Sequence, residues 1–295
     1  MYKISIIGSG TVGGAIGKVF TKYGYHVIFY DLERERLKEL ASRGYKVAET
    51  LEEAVLNTDI SFICVPTPSN NGSPQKSEIF GIQKSKISDQ IDRTYLDTAL
   101  SGVLDVLTSK DGYHTIAIKS TILPGIVEGF DGGNCGICLN PEFLRSETPE
   151  EDFENQPVII GSIDERAAEI LKVFYEDFRR RTEKNFKIFV TDTKTAAMIK
   201  YVSNCLLATK ISLFNEIADI CKKIGVDPRI VVNNVITDRY STIEQYRRDF
   251  LSLGFQDECL PKDLDAFLSF CKDLGYKPEL LSAVKEVNER IKRKR

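Results

Sequence analysis

The sequence predicts an α/β fold, with a doubly wound parallel sheet in the first domain and an all-helical second domain. Three observations support this. Short β-branched segments alternate with helical patterns up to about residue 190, a glycine-rich turn follows the first strand, and only helical patterns come afterwards. We therefore divide the chain into residues 1–190 and 191–295.

Composition and charge exclude several classes of protein. The chain has 295 residues, of which 42% are hydrophobic and 28% charged, which is enough for two globular domains. A formal net charge of −3 does not indicate nucleic-acid binding, and no apolar run is long enough to cross a membrane. A strand begins directly after Met1, so we expect no signal peptide. The 7 cysteines are scattered through apolar segments, which predicts reduced thiols in a cytoplasmic protein.

The first strand and the turn after it form a dinucleotide-binding motif. Residues 2–7 read as a β-branched strand, residues 8–14 read GSGTVGG, and a helical pattern follows. Gly8 permits a tight turn, Gly10 lets the backbone approach a pyrophosphate, and Gly13 lets helix and strand pack closely. The helix N-terminus offers N–H donors to the phosphates. Strand, turn and helix together predict a Rossmann-type domain.

An acid at the end of the second strand selects the cofactor. Residues 26–30 form that strand, and Asp31 follows it. A carboxylate there accepts hydrogen bonds from a ribose 2′-hydroxyl and repels a 2′-phosphate, which favours NAD over NADP. Arg34 and Arg36 weaken this preference without cancelling it. The candidate NAD-binding residues of this part are Gly8, Gly10, Thr11, Val12, Gly13, Asp31 and Arg36.

The alternation of strands and helices continues along the first domain. We expect further strands at residues 45–48, 58–65, 115–119, 136–139, 158–160 and 186–190. We expect helices at residues 37–40, 51–56, 95–107 and 167–178.

Three of these strands end in turns that carry polar groups. The turns read VPTP at 65–68, STILPG at 120–125 and NPEFL at 140–144. Ligands bind outside the carboxyl ends of parallel strands, so we expect the three turns to lie at one edge of the sheet and to share a site. Glu142 follows a proline there, where an acid packs poorly but suits a site; a solvated loop glutamate is the alternative.

The longest helical pattern covers residues 192–221 and starts with capping side chains. It is apolar around most of its circumference, which predicts burial inside a domain or between subunits. Lys200 and Asn204 lie four residues apart and therefore share a face. A buried ammonium needs a partner, so the two side chains indicate a polar site. The alternative is a lysine at the helix rim, with Asn204 bonded to a neighbour.

The rest of the chain is predicted to be helical at residues 228–236, 243–251, 263–274 and 278–291. Residues 254–263 are interpreted as a loop that brings Cys259 and Lys262 to a helix start. Unlike the other cysteines of this half, Cys259 lies outside any apolar periodicity. A thiol in such surroundings is expected to ionise readily and to act as a nucleophile; a bystander thiol is the alternative.

Two further patterns are discounted. Cys135 and Cys138 form a C-x-x-C sequence, but no second pair exists to complete a zinc site, so no metal is predicted. His26 and His114 lie at strand starts, and neither is a convincing catalytic base.

Taken together, the motifs GSGTVGG, VPTP, STILPG, NPEFLR, the KYVSN helix and the CLPKD segment resemble the UDP-glucose/GDP-mannose dehydrogenase family over nearly the whole chain. The resemblance implies an NAD-dependent enzyme that oxidises the C6 alcohol of a nucleotide-sugar to a carboxylate in two steps. The first expectation is the conversion of UDP-glucose to UDP-glucuronate.

The resemblance also implies catalytic roles. Cys259 would attack the C6 aldehyde to give a thiohemiacetal, which a second hydride transfer would convert to a thioester. Lys200, with Asn204 as its partner, would stabilise the oxyanion. Asp263 would assist proton transfer with an ordered water, and Glu142 would act as acid and base in hydrolysis.

The same resemblance extends the binding sets. Thr121 would hold the water network and contact the nicotinamide side. The further cofactor-binding residues would be Val65, Pro66, Thr67, Thr121 and Lys262, and the substrate-binding residues would be Glu142, Phe143, Leu144, Lys200, Asn204 and Cys259.

Three departures from the family pattern modify these expectations. The chain ends where the family's linker helix begins, so a separate chain is a candidate source of the third, nucleotide-binding domain. Gln256 and Asp257 stand where the family has small glycines, and Ser146 replaces an acid, with Glu147 one place later.

Other expectations concern partners and competing functions. The resemblance implies a homodimer through the helix of residues 192–221. One competing function is a β-hydroxyacid dehydrogenase that makes a single hydride transfer with Lys200 and Asn204. Another is an inactive NAD-binding scaffold.

Overall fold

A computed structural model describes residues 2–69, 91–128, 130, 132–235, 254–255 and 259–293. The chain forms two compact units, Met1–Lys200 and Tyr201–Arg295. The domain boundary at residues 190/191 stays a prediction. None of the helices in the described ranges is long and apolar enough to cross a membrane.

The first unit is built on a seven-stranded sheet in the order β2-β1-β3-β4-β5-β6-β7. All neighbouring strands pair in parallel except β5 and β6, which are antiparallel. The doubly wound sheet is thus confirmed, with one reversal that the sequence did not indicate. The strands are β1 Lys3–Ile7, β2 His26–Tyr30, β3 Ile60–Ile63, β4 His114–Ile118, β5 Cys135–Leu139, β6 Val158–Ser162 and β7 Ile188–Thr191.

This unit departs from the expected elements in two places. The strand predicted at residues 45–48 is reduced to a single parallel bridge between Val47 and Phe29, too short to form a strand. A helix that was not predicted covers Pro149–Asn155, whose sequence PEEDFEN has one apolar side chain and hence no helical periodicity. Its proline in the first turn and its acidic first turn favour a helix start. The helices are α1 Thr11–Lys22, α2 Arg34–Ser42, α3 Leu51–Leu56, α4 Thr94–Leu107, α5 Pro149–Asn155 and α6 Glu165–Thr182.

An aromatic cluster joins three helices to the sheet. The Phe20 ring of α1 lies 5.3 Å from Phe62 of β3, 5.2 Å from Phe153 of α5, and 5.0 and 5.1 Å from Phe174 and Phe178 of α6. Most of these contacts are edge-on, the arrangement that aromatic rings prefer. The cluster anchors α5, and so fixes the course of the chain just after the NPEFL turn.

The second unit is helical in its described part. Helix α7, Thr193–Lys223, begins in the first unit and continues into the second. It starts as predicted, because the Asp192 carboxylate accepts a hydrogen bond from the Thr195 amide at 2.8 Å. The remaining helices are α8 Pro228–Val235, α9 Cys259–Asp273 and α10 Glu279–Lys292. The helix predicted at residues 243–251 lies outside the described residues.

Helix α7 is buried on one face only. Tyr201 and Cys205 are buried, whereas Val202, Leu206 and Leu213 are each about half exposed. The last two are separated by seven residues, so they lie on the same stripe of the helix. Burial of this second apolar face between subunits stays a prediction.

Helix α9 begins earlier than the sequence suggested. Residues 259–262 were interpreted as a loop, but α9 starts at Cys259. Pro261 lies in the first turn of this helix, where a proline costs no hydrogen bond, since the first N–H groups of a helix have no partner within it. Cys259 is therefore a residue of a helix N-terminus rather than of a loop.

Candidate active site

The glycine turn after β1 has the geometry that a pyrophosphate requires. Gly8 has a φ of +89°, and a Cβ at Gly13 would lie 1.9 Å from the Gly8 carbonyl oxygen. These contacts fix the turn against α1. A Cβ at Gly10 would meet only the Arg36 guanidinium, at 3.5 Å, so the open side of the turn lies there. Gly10 is the N-cap of α1 and no side chain of the described residues caps it, which leaves N–H groups for an anion.

Asp31 is held at the end of β2 beside this turn. Its carboxylate accepts hydrogen bonds from the Ser9 amide at 2.6 Å, the Glu33 amide at 2.9 Å and the Arg36 guanidinium at 3.1 Å. A cavity of about 310 Å³ opens here, lined in part by Ser9, Gly10, Thr11, Lys18, Arg36 and Glu150. The uncapped helix start, the open glycine face and the oriented carboxylate fit an NAD molecule. The arginine that weakened the preference for NAD is bonded to Asp31.

The first two of the three predicted turns are joined by hydrogen bonds. The Thr67 hydroxyl donates to the Thr121 carbonyl at 3.0 Å, and the Ser120 hydroxyl donates to the Val65 carbonyl at 2.6 Å. Since β3, β4 and β5 are parallel neighbours, the VPTP, STILPG and NPEFL turns follow the same edge of the sheet, as predicted.

The third turn contacts the predicted lysine. The Lys200 ammonium donates to the Glu142 carbonyl at 2.7 Å and to its carboxylate at 3.2 Å. The Leu144 amide donates to the other carboxylate oxygen at 2.6 Å, and the Phe143 ring lies 5.5 Å from the ammonium. The exposed fraction of the side chain is 7% for Lys200 and 13% for Glu142, so neither is at a solvated rim.

The charges around Glu142 keep it ionised. Burial by itself raises the pKa of this carboxyl group. The charge of Lys200, the Leu144 amide, the charge of Lys119 and the hydrogen bond from Lys200 act in the opposite direction and together hold the pKa below its usual value. Glu142 is therefore a carboxylate near neutral pH, able to accept a proton rather than to donate one.

A second buried lysine lies at this edge and was missed in the sequence. Lys119 directly follows β4 and is 2% exposed. Its ammonium donates to the Asn140 side-chain oxygen at 3.1 Å and to the Pro141 carbonyl at 3.3 Å. The available signal was a lysine at the end of an otherwise apolar strand, directly before the hydroxyls of Ser120 and Thr121.

The second unit holds the other predicted catalytic side chains. The Asp263 carboxylate, 1% exposed, accepts a hydrogen bond from the Asn204 amide at 2.6 Å and from the Lys262 ammonium, also at 2.6 Å. The side chain of Asn204 thus bonds Asp263, and its role beside Lys200 in stabilising the oxyanion stays a prediction. Cys259 is exposed at the first position of α9. The NAD contact expected of Lys262 stays a prediction.

The discounted patterns and the departures can now be placed. Burial raises the pKa of Cys135 to about 11 and that of Cys138 to about 12, and the described residues contain no group of three metal ligands. All 7 cysteines are thiols. Ser146 and Glu147 are exposed, while Gln256 and Asp257 lie outside the described residues.

Family models match most of the chain. Residues 40–179 match the NAD binding domain of the UDP-glucose/GDP-mannose dehydrogenase family, and residues 194–290 match its central domain. The chain belongs to this family. It is accordingly an NAD-dependent dehydrogenase. Residues 3–61 also match the NAD binding domain of 3-hydroxyacyl-CoA dehydrogenase.

Individual relatives agree with the family but differ in their substrates. The UDP-glucose 6-dehydrogenase AglM of Haloferax volcanii is 31% identical, and the match covers 97% of this chain and 69% of the relative. A GDP-mannose 6-dehydrogenase of Pseudomonas savastanoi pv. phaseolicola is 29% identical over 97% of this chain and 68% of its own. The solved UDP-glucose dehydrogenase of Pyrobaculum islandicum superposes with a TM-score of 0.78 at 31% identity, covering 98% of this chain and 68% of that one.

Proposed function

We propose that this dehydrogenase oxidises the C6 alcohol of a nucleotide-sugar to a carboxylate, with UDP-glucose as the first candidate substrate and UDP-glucuronate as its product. The observation that carries the proposal is the Lys200–Glu142 pair, in which the buried ammonium of Lys200 bonds a carboxylate that follows a strand of the cofactor-binding sheet and is only 13% exposed. Relatives named as UDP-glucose and GDP-mannose 6-dehydrogenases support the same class of substrate. NAD, when bound, supplies the hydride acceptor for both oxidations.

The thiol of Cys259 makes the second oxidation possible. It adds to the C6 aldehyde, so that a carbon–sulfur bond forms and the carbonyl oxygen takes up a proton. Loss of a hydride and a proton from this thiohemiacetal leaves a thioester. Water then cleaves the carbon–sulfur bond, releasing the acid and restoring the thiol. The position of Cys259 at a helix N-terminus supports this role, because the helix dipole favours a thiolate.

The remaining side chains supply charge and proton transfer. The Lys200 ammonium stabilises the negative charge that develops on the C6 oxygen. Glu142, ionised near neutral pH, takes a proton from the water that hydrolyses the thioester. Asp263, oriented by Asn204 and Lys262, holds an ordered water for proton transfer.

A second candidate function is a single hydride transfer from a β-hydroxyacid. The match of residues 3–61 to a 3-hydroxyacyl-CoA dehydrogenase domain favours it. That reaction uses Lys200 and Asn204 but not Cys259, so it yields one NADH per substrate and is insensitive to thiol alkylation.

We also propose a homodimer formed through the helix of residues 192–221. The half-exposed stripe of Val202, Leu206, Leu213 and Ile220 supports it, since an apolar stripe of this length favours a partner surface. The thiol state of the cysteines supports work in the cytoplasm.

The test counts NADH and acid together. The purified chain is assayed against UDP- and GDP-sugars and β-hydroxyacids, and we expect two NADH per acid with one nucleotide-sugar. The Cys259→Ser variant should form no net acid, whereas Cys271→Ser, which changes a buried thiol of the same helix, should retain it. Full acid production by Cys259→Ser would refute the mechanism, and NAD binding without turnover on any substrate would favour a scaffold.

A further inference from the structure

Lys119 is a buried cation that forms no ion pair with another described residue. It is 2% exposed at the end of β4, and it forms no salt bridge within the described part of the chain. Its ammonium contacts the Asn140 side-chain oxygen and the Pro141 carbonyl, and lies 5.6 Å from the Phe153 ring. Taking an ammonium out of water costs several kcal/mol unless a charge compensates it. A methionine or leucine would fill the same space at lower cost, so the charge itself needs a reason.

The side chain of Asn140 orients this ammonium. Its amide group donates to the Ile159 carbonyl at 2.7 Å, and its oxygen accepts a second hydrogen bond from the Tyr175 hydroxyl at 2.5 Å. The Asn140 backbone amide donates to the Ile118 carbonyl at 2.8 Å. With its amide group bonded to β6, Asn140 can present only its oxygen to Lys119. These bonds of Asn140, which we call the brace, tie the first residue of the NPEFL turn to β4, β6 and α6.

The charge of Lys119 acts on Glu142, two residues further along the same turn. Lys119 is one of the charges that lower the pKa of Glu142, and Glu142 in turn raises the pKa of Lys119. Burial is the larger influence on Lys119, and its pKa falls to about 8. The charged or titratable groups that face it from the surrounding elements are Cys64, Glu142, Tyr175 and Lys200.

We propose that Lys119 is a positioning residue of the dehydrogenase, which keeps Glu142 ionised and holds the NPEFL turn against the sheet. Lys200 bonds the Glu142 carboxylate directly, whereas Lys119 bonds Asn140 and Pro141 of the same turn and acts on the carboxylate through its charge. The inference rests on the proposed role of Glu142 as the base of thioester hydrolysis, but the electrostatic coupling is measurable without any substrate.

The first test follows the Glu142 carboxyl carbon by NMR in protein labelled at glutamate side chains, with Glu142→Gln to assign the signal. In the native chain, we expect a second inflection near pH 8, where Lys119 loses its proton. Lys119→Arg should abolish that inflection while keeping Glu142 ionised, and Lys119→Met should raise the pKa of Glu142. Lys110→Met, which changes a half-buried lysine at the other end of β4, is the control and should leave the Glu142 signal unchanged.

The second test is the pH profile of acid formation. Lys119→Met should lower kcat about tenfold at neutral pH, with KM changed less than about twofold, and should move the acid limb of the profile upward. Lys119→Arg should restore most of the rate. A merely structural lysine would lower the amount of folded enzyme without moving the limb.

The outcomes separate the two proposals. A Glu142 signal that titrates identically in the native chain and in Lys119→Met, or that shows no inflection near pH 8, would overturn the role of Lys119. The absence of an inflection near pH 8 is observed in the native chain, so it tests the role of Lys119 even if the Lys119→Met variant does not fold. If the signal behaves as expected while no nucleotide-sugar is oxidised, the coupling stands and the proposed function falls.

Discussion

The two ends of β4 bury titratable groups in different ways. At the N-terminal end, His114 is enclosed, with one ring nitrogen 2.8 Å from the Ser61 hydroxyl and the other 2.9 Å from the Lys110 ammonium. Lys110 also donates to the Val55 and Thr58 carbonyls, so the network closes on itself. At the C-terminal end, Lys119 bonds Asn140 and Pro141 of the NPEFL turn, and its charge acts on the carboxylate of Glu142 in the same turn. Burial of a titratable group alone therefore does not indicate a functional site. A buried charge that acts on an oriented carboxylate, at the edge formed by the carboxyl ends of the parallel strands, does indicate one.

The charges at the two ends also respond differently to pH. Burial, with the charge of Lys110, lowers the pKa of His114 to about 3, so the ring stays neutral under ordinary conditions. Lys119, with a pKa of about 8, changes its charge close to neutrality. The comparison predicts that substitutions at the C-terminal end alter catalysis, whereas those at the N-terminal end alter stability.

The largest expected effect is on catalysis at the C-terminal end. Glu142→Gln removes the proposed base but keeps the shape of the side chain, and we expect the rate of acid formation to fall by about 10²- to 10⁴-fold. Glu154→Gln is the matched control, because Glu154 is likewise largely removed from solvent and bonded to a lysine, Lys22, but lies on α5. Steady-state rates of the two variants decide the matter. Equal losses in both would mean that burying an amide, not losing a base, is responsible.

The next effect is on stability at the N-terminal end. The folded-state pKa of His114 lies below the ordinary value of 6.5, so the unfolded chain binds a proton that the folded chain refuses. Native stability should therefore fall as the pH decreases from about 6.5 to 3, by as much as ~4 kcal/mol. His114→Gln should lose this slope and keep kcat within about twofold. Urea unfolding at pH 7 and pH 4 measures it.

His26→Gln serves as the control for that measurement, because His26 begins β2 in an exposed position. Its pH slope should match that of the native chain. A native slope that persists in His114→Gln would show that other groups cause the acid sensitivity, and would weaken the contrast between the two ends of β4.

The sequence allowed prediction of what depends on local pattern. The glycine turn, the strands and the shared edge of the three turns follow from periodicity and from the rules of parallel sheets. The sequence also indicated Glu142 and Lys200 as candidate site residues, because each is a charged side chain in otherwise apolar surroundings. Their bond was not predictable, because contact between a turn and a helix 58 residues away depends on tertiary packing.

The errors have physical causes as well. Spacing placed Asn204 on the same face as Lys200, but it could not show the bond to Asp263, because only intrahelical distances can be derived from spacing and Asp263 comes from another helix. The start of α9 was placed four residues late, because residues 259–262 have no apolar periodicity of their own and a proline in a first turn does not distinguish a loop from a helix start. Lys119 was missed because its burial and the effect of its charge on Glu142 depend on tertiary packing, which the sequence pattern does not show.

A smaller effect is expected at the cofactor turn, which belongs to the same edge of the sheet. Arg36→Ala removes the guanidinium that contacts Asp31 at 3.1 Å, in an ion pair whose arginine is 38% exposed. Pairs of this kind contribute at most ~1 kcal/mol, so NAD affinity should fall about three- to fivefold. Lys38→Ala, on the same helix and paired only with Glu35 in the described structure, should leave it unchanged. Fluorescence titration with NADH measures the two affinities. A gain in affinity for NADPH in Arg36→Ala would contradict our assignment of Arg36 to the cofactor-binding residues.

The smallest predicted effect examines the brace behind Lys119. Tyr175→Phe removes the hydroxyl that donates to Asn140 at 2.5 Å but leaves the ring in the core. Loss of one buried hydrogen bond should cost about 1 kcal/mol of unfolding free energy. Because Asn140 then holds Lys119 less firmly, kcat should also fall, by about twofold. Tyr25→Phe removes a hydroxyl that contacts Asp177 at 2.7 Å, away from the turn, and should cost similar stability without lowering kcat. Urea unfolding and initial rates of the two variants distinguish these cases. An unchanged kcat in Tyr175→Phe would mean that the bond to the Ile159 carbonyl of β6 is sufficient to orient the Asn140 side chain, without the Tyr175 hydroxyl.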